Sequence, residues 1–312
     1  MNILITGAAG FIGSHTAERL ASLGHHVVGV DNFSDYYDPK LKRQNAKDLE
    51  AKGVQVLEVE LCDKGSMSQM SNDFHYIFHF AAQPGIAAHV TFEDYLKNNV
   101  LATKSVLDFA QTCPNLKLFV NIGTSSIYGL EAVSPESVAP QPASFYGVTK
   151  LAAEQLALQL SRENKLMACS LRLYSVIGPR ERPEKLFTKL IAAGIEGNAF
   201  PLFEGSQSHL RSFTYVGDIV DGIVSVIGKE ATVNGEVINL GTEKEYSTQQ
   251  GIEAVEAVLN LKIQLDINPK RRGDQDRTKA IIDKARRLLN YNPQTTLLEA
   301  VKAQVDWFKI YD

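Results

Sequence analysis

Thr6-Gly7-Ala8-Ala9-Gly10-Phe11-Ile12-Gly13 constrains the fold of this chain more than any other stretch. It follows a short apolar run, Ile3-Leu4-Ile5, and opens a segment from Ser14 to Leu23 that reads as a helix. Glycines at 7, 10 and 13 meet three needs: a tight turn, close approach of the backbone to a pyrophosphate, and close helix–strand packing. Free N–H groups at the start of such a helix face the phosphates. Gly24 ends the helix, His26 to Val30 reads as a second strand, and Asp31 closes that strand 18 residues after Gly13. A carboxylate there accepts hydrogen bonds from ribose hydroxyls and repels a 2′-phosphate, so NAD is favoured over NADP.

The strand–helix alternation continues. Residues 54–61 and 76–82 read as the third and fourth strands, 94–111 as a helix and 118–122 as the fifth strand. Further strands are expected at 169–173 and 237–240. This order implies an α/β protein with a Rossmann-type, doubly wound parallel sheet and a smaller α/β substrate-binding domain. The expected division is residues 1–173, with a returning segment at about 213–242, and mainly residues 174–312 for the second domain. Ligands bind outside the carboxyl ends of such strands, so the Gly7 loop, Asp31, Ala81-Ala82 and Thr124 should converge.

The stretch from Asn121 to Lys150 supplies chemistry for that site. An apolar run gives way to Thr124-Ser125-Ser126, and Tyr146 and Lys150 follow on a helix for which Ser144 is the expected cap. Residues four apart share a helix face, so the phenol and the ammonium point the same way. A free phenol titrates near pH ~10. One cation about 6 Å away, at an effective dielectric of about 20, favours the phenolate by roughly 2.8 kcal/mol, or about 2 pK units. Tyr146 then becomes a base for an alcohol proton, and Thr124 or Ser126 can hydrogen-bond the same oxygen.

Composition removes other classes. The 312 residues are 44% hydrophobic, enough for a substantial core, and 32 basic against 36 acidic side chains give a net charge of −4. No basic stripe appears, which excludes nucleic acid as an expected partner. Cys62, Cys113 and Cys169 lack metal or disulfide spacing, and no window reaches the ~20 apolar residues of a membrane span. A soluble cytoplasmic protein is the expectation. His75 and His79 lie on a strand without a carboxylate cluster, so no metal is expected. The second half carries loop arginines at 180, 182, 211, 271, 272 and 277, as a phosphate-bearing substrate requires.

With these residues placed, the chain resembles the extended short-chain dehydrogenase/reductases, and among them the NAD-dependent nucleotide-sugar epimerases, most closely the UDP-glucuronate 4-epimerases. The resemblance spans nearly the whole chain. It rests on the glycine motif, Asp31-Asn32-Phe33-Ser34-Asp35-Tyr36-Tyr37-Asp38-Pro39, Phe80-Ala81-Ala82-Gln83, Asn99-Val100 and Thr124-Ser125-Ser126-Ile127-Tyr128-Gly129. Tyr146-x-x-x-Lys150, Gly178-Pro179-Arg180 and Arg211-Ser212-Phe213-Thr214-Tyr215-Val216-x-Asp218 complete it.

The resemblance implies that Gly7, Gly10, Phe11, Ile12 and Gly13 hold the pyrophosphate of NAD. Asp31 and Asn32 hold the adenosine ribose, Glu60 and Leu61 border the adenine, and Ala81 and Ala82 line the cofactor. Asn99, Tyr146 and Lys150 reach the nicotinamide side. Tyr146, Lys150 and Thr124 are the implied catalytic set. Arg211 and one of Arg271, Arg272 or Arg277 bind the UDP phosphates, Leu202 and Phe203 lie near the uridine, and Arg180 is a further substrate residue. Thr124, Ser125, Ser126 and Ser175 surround the sugar.

Ser126 stands where dehydratases and decarboxylases commonly carry a carboxylate. Ser175 stands where glucuronate epimerases carry threonine and many hexose epimerases asparagine. Ala87 and Ile177 depart from the pattern. The implied reaction is C4 epimerisation of UDP-glucuronate to UDP-galacturonate by transient oxidation, rotation and re-reduction of a 4-keto sugar, in a homodimer paired through the helices after Asn99 and around Tyr146. UDP-glucose or UDP-N-acetylglucosamine epimerisation is the nearest alternative, then decarboxylation or dehydration, then a non-catalytic NAD-binding regulator.

Overall fold

The computed structural model describes residues 1–63, 65–85, 90–269 and 277–311, the last without its side chain. Seven strands form one sheet: β1 (Asn2–Thr6), β2 (His26–Asp31), β3 (Gln55–Glu58), β4 (Tyr76–His79), β5 (Leu118–Thr124), β6 (Ala168–Leu173) and β7 (Val237–Leu240). Their order is β7-β6-β5-β4-β1-β2-β3, and every neighbouring pair is parallel. Ile3, Leu4, Ile5, Ile77, Phe78, Phe119 and Val120 are fully buried in its centre, as strands covered on both faces require. The third and fourth strands end three residues earlier than expected, and the fifth runs on to Thr124.

Helices cover both faces. Among them are α1 (Phe11–Ser22), α2 (Pro39–Glu50), α3 (Phe92–Tyr95), α4 (Ala102–Ala110), α5 (Phe145–Arg162), α6 (Leu186–Glu196) and α7 (Val216–Val224). One expected helix, 94–111, is α3 and α4 joined by a π-helical segment, Leu96–Leu101. The wider turn carries Asn99 inward, and such insertions commonly mark functional sites. The residues after Leu173 build a second core around Phe187, Leu190, Phe213, Ile252 and Val301. The return to the first core is wider than 213–242. Ala280, Ile282, Ala285, Leu289 and Tyr291 also pack there.

The packing of α5 brings the site together. Ser144 caps it by accepting a hydrogen bond from Gly147 N at 3.1 Å. A Cβ on Gly147 would lie 2.8 Å from Ser126 O and 3.0 Å from Pro142 Cβ. Glycine thus lets the first turn of α5 rest on the short 3₁₀ turn Ser125–Tyr128 that follows β5. Gly147→Ala is expected to force these elements apart, costing about 1–3 kcal/mol; urea unfolding measures the loss, and unchanged stability would contradict the packing account.

Candidate active site

At the carboxyl end of β1 the glycine loop turns into α1, whose cap, Gly10, contributes no side-chain hydrogen bond. A Cβ on Gly13 would lie 2.2 Å from Gly7 O, so only glycine closes this cradle. Ala81 N donates to Thr6 Oγ1 at 3.2 Å, which seats the Ala81-Ala82 segment beside the loop. Asp31, 8% exposed, accepts from Ala9 N at 3.1 Å and Phe33 N at 2.9 Å. Burial raises its pKa against these bonds and the nearby Lys42 charge. Asn32 donates to Glu60 at 3.1 Å, and Glu60 accepts from Cys62 N at 3.0 Å. Burial pushes Glu60 up, but the Cys62 N–H, Asn32 and Lys97 outweigh it and its pKa falls. Leu61 packs into the core with Val28 and Val30 rather than facing the groove.

Tyr146 and Lys150 share the inward face of α5. Burial raises the pKa of Tyr146; a hydrogen bond with the Thr124 side chain and the charge of Arg182 oppose that rise. Thr124 also accepts from Ser126 N at 3.2 Å, so its hydroxyl is fixed by the turn it caps. Beside the Thr124 bond, the charge of Arg182 favours a phenolate here. Lys150 is 3% exposed, and burial lowers its pKa to about 8, with Glu154 resisting.

Asn99 donates to Thr149 Oγ1 at 3.0 Å and accepts from Gln83 N at 2.7 Å, tying the π segment, α5 and the loop after β4 together. Beneath them His79 lies 2.7 Å from Thr6 Oγ1 and 2.9 Å from Thr103 Oγ1. Thr103 spends its proton on Asn99 O at 2.6 Å, so His79 Nε2 donates to Thr103 and Nδ1 accepts from Thr6. Burial first, and then Lys150, hold this imidazole neutral, with a pKa of about 3. His75 instead accepts from Asn2 N at 3.1 Å.

The substrate side differs from the sequence expectation in several places. Arg180 pairs with Glu18 at 2.7 Å and Asp48 at 3.4 Å, anchoring its loop to α1 and α2. It has φ of +66°, and His15 Nε2 holds the neighbouring Pro179 O at 2.9 Å. The guanidinium whose charge reaches Tyr146 is that of Arg182. Arg182 lies 5.8 Å over the Tyr36 ring and 2.8 Å from Glu184.

Arg277 is clamped by Glu245 at 2.6 and 2.8 Å. Its short strand pairs Leu210 with Arg277 and Arg211 with Thr278, so Arg211 and Arg277 leave this sheet from opposite faces. Arg271, Arg272 and Ala87 lie outside the described residues. Leu202 is 2% exposed in the second core, leaving Phe203 at the edge of its strand. Ser175 is half-buried beyond β6, and its carbonyl accepts from Thr214 N at 2.8 Å.

Sequence reasoning passed over Lys185 and named Arg182 only among the loop arginines. Lys185 occupies the cap position of the eleven-residue helix α6, within the fields of Arg182 and Arg211. Burial, partly offset by Glu181, lowers its pKa. The signal for Lys185 was a basic residue directly before an apolar-periodic helix; for Arg182, a basic residue directly before Pro183 in the same loop.

The residues present fit a dinucleotide. The cradle at Gly13 excludes any Cβ, the first N–H groups of α1 lack a side-chain cap, and the buried Lys150 ammonium makes no hydrogen bond among the described residues. Lys150 and Asp31 would be the groups to hold its ribose hydroxyls.

Comparison with known proteins agrees with this arrangement. Residues 3–241 match the model of the NAD dependent epimerase/dehydratase family. UDP-glucuronate 4-epimerase 3 of Arabidopsis thaliana is 32% identical over 330 residues, covering 99% of this chain and 77% of the relative. An uncharacterized UDP-glucose epimerase of Bacillus subtilis, YtcB, is 33% identical over 310 residues, covering 98% and 97%. The crystal structure of UDP-glucuronic acid 4-epimerase from Bacillus cereus, in complex with UDP-glucuronic acid and NAD, superposes with a TM-score of 0.93 at 33% identity over the whole of both chains. No helix among the described residues is long and apolar enough to cross a membrane. A match over most of the chain, on a parallel sheet whose glycine loop admits no Cβ at Gly13, places the chain in the NAD dependent epimerase/dehydratase family.

Proposed function

We propose that this chain is an NAD-dependent 4-epimerase of UDP-sugars and that its preferred reaction converts UDP-glucuronate to UDP-galacturonate. The observation that carries the reading is Tyr146 beside Thr124 and one helical turn from the buried Lys150, at the sheet end that holds the glycine loop. Bound NAD supplies a two-electron acceptor and donor, so that C4 becomes a ketone and is reduced again on its other face. Tyr146 takes the C4 hydroxyl proton at its phenol oxygen and returns it. Thr124 steadies the same sugar oxygen, while Ser125, Ser126 and Ser175 offer small hydroxyls around the ring. Lys150 holds a positive charge beneath the phenol and hydrogen-bonds ribose hydroxyls. Arg211 and Lys185, beside the N-terminus of α6, bind the diphosphate.

The cations favour an anionic sugar. Arg182 acts on Tyr146 as well as on Lys185, and its reach to the tyrosine supports a role for it at a C6 carboxylate. A glucose hydroxymethyl group would offer that charge no second anion beside Glu184.

A homodimer and a cytoplasmic location belong to the same proposal. Phe92, Leu101, Phe145 and Val148 are 38–59% exposed on α3, the π segment and α5, and the Phe92 and Phe145 rings meet at 5.2 Å. This apolar patch supports pairing through those helices. All three cysteines are free, as a reducing compartment favours. The division into an NAD-binding part, residues 1–173 with its returns, and a UDP-sugar-binding part within 174–312 is proposed on the two separate cores.

Tyr146→Phe is expected to keep bound NAD while losing turnover by about 10²–10⁴-fold; activity near the wild-type level would sink the mechanism, and a regulator without catalysis would show no turnover in either protein. Arg182→Met is expected to raise KM for UDP-glucuronate by about 10–100-fold while KM for UDP-glucose, where it turns over at all, stays nearly the same, with kcat falling for both because the phenolate loses a supporting charge; an equal rise in KM for both sugars would point to a diphosphate role. Sedimentation velocity should give twice the chain mass, with Phe145→Glu shifting the protein to monomer; a wild-type monomer would refute the pairing.

A further inference from the structure

The inward face of α5 continues beyond Lys150. One turn on lies Glu154, 1% exposed and therefore on the same stripe as Tyr146 and Lys150. Its carboxylate accepts from Arg172 Nε at 2.9 Å, Arg172 Nη2 at 2.6 Å and Ser170 Oγ at 3.0 Å. Arg172, 3% exposed, also donates from Nη1 to the Tyr128 hydroxyl at 2.7 Å, and Tyr128 donates to Asn239 at 2.9 Å. Tyr128 closes the turn that Thr124 caps. One buried ion pair therefore touches both halves of the site, the helix bearing Tyr146 and Lys150 and the turn bearing Thr124.

Such a pair is an expensive way to fill a core. Well-packed apolar residues of similar volume are often as stable or more so, because neither charge then loses its water. Lys150 gives the carboxylate a use. Its ammonium is buried without a hydrogen bond among the described residues, and Glu154 is the anion whose field supports it.

We propose that Glu154 is a positioning residue of the reaction, the buried counterion that keeps the Lys150 ammonium in its dry site, and that Arg172 and Tyr128 fix this carboxylate relative to the Thr124 turn. The inference rests on the roles of Tyr146 and Lys150 proposed above. The groups around the pair are His79 on β4, Tyr128 after β5, Arg172 on β6, Tyr146 on α5 itself and Tyr95 on α3, whose ring lies 6.1 Å from that of Tyr146; the buried residues of the π segment and α4 carry no titratable side chain. β5 carries no titratable side chain. His79 is neutral, and the Arg172 guanidinium is turned onto Glu154, so the carboxylate one turn away dominates at Lys150. Lys150 titrates at about 8 with this support. Without it the ammonium loses its proton at lower pH, and activity that needs the charge disappears earlier as pH rises.

Lysine-selective isotope labelling, with the Lys150 resonance assigned by its absence in Lys150→Met, reads this charge in the holoenzyme without turnover. In Glu154→Gln the Lys150 midpoint is expected to fall by about 1–2 pH units, and the alkaline limb of the turnover profile should fall with it. Glu154→Gln leaves Arg172 buried without its partner and destabilises the fold; Glu154→Gln/Arg172→Met removes the pair as a unit and is expected to lower the midpoint in the same direction. A Lys150 midpoint at its wild-type value in whichever variant folds overturns the proposal. Tyr146→Phe reads the catalytic assignment separately, so either reading can fail without the other.

Discussion

Placing a phenol and an ammonium on the buried face of one helix sets two opposed electrostatic tasks. Burial drives Tyr146 toward its protonated form and Lys150 toward its neutral form, the reverse of what proton abstraction requires. The surrounding residues act against both trends. Thr124 and Arg182 favour the phenolate, while Glu154 favours the ammonium. None belongs to the Tyr-x-x-x-Lys spacing, yet the pair depends on all three. The same dryness strengthens each of these interactions over its value in water.

The parts of the fold that repeat a local rule were legible in the sequence. Glycine spacing, apolar runs and helix caps place β1 to β7 and α5 to within a few residues, because each follows from short-range sterics or from burial on both faces. Strand ends were less legible. Residues 59–61 are apolar enough to continue β3, but Glu60 and Leu61 are claimed instead by side-chain contacts to Asn32 and by the core. The π segment had no signal at all, since its insertion follows from where Asn99 must reach rather than from any local preference.

Electrostatic partners in the site were the least legible part. Gly178-Pro179-Arg180 marks a loop, but nothing in it tells which arginine turns inward. That depends on Glu18 and Asp48, more than 130 residues earlier in the chain, which capture Arg180 and leave Arg182 to face the tyrosine. Arg277 is likewise fixed by strand register and by Glu245, neither visible in its neighbours. Long-range ion pairs are set by tertiary geometry, so composition reveals that cations are present without revealing where they point.

The position of β7 at the rim of the sheet bears on how the chain acquires its shape. β6, buried along its whole length and carrying Arg172, pairs with β5 on one side and with β7 on the other. Between Leu173 and Val237 lie 63 residues, 174–236, so during synthesis at ~5–20 residues per second the outer side of β6 waits about 3–13 s for its partner. Throughout that interval a row of unpaired N–H and C=O groups lies open to other nascent chains. The glycine loop and Asp31, by contrast, lie within the first 31 residues of the chain and emerge long before the rim is sealed.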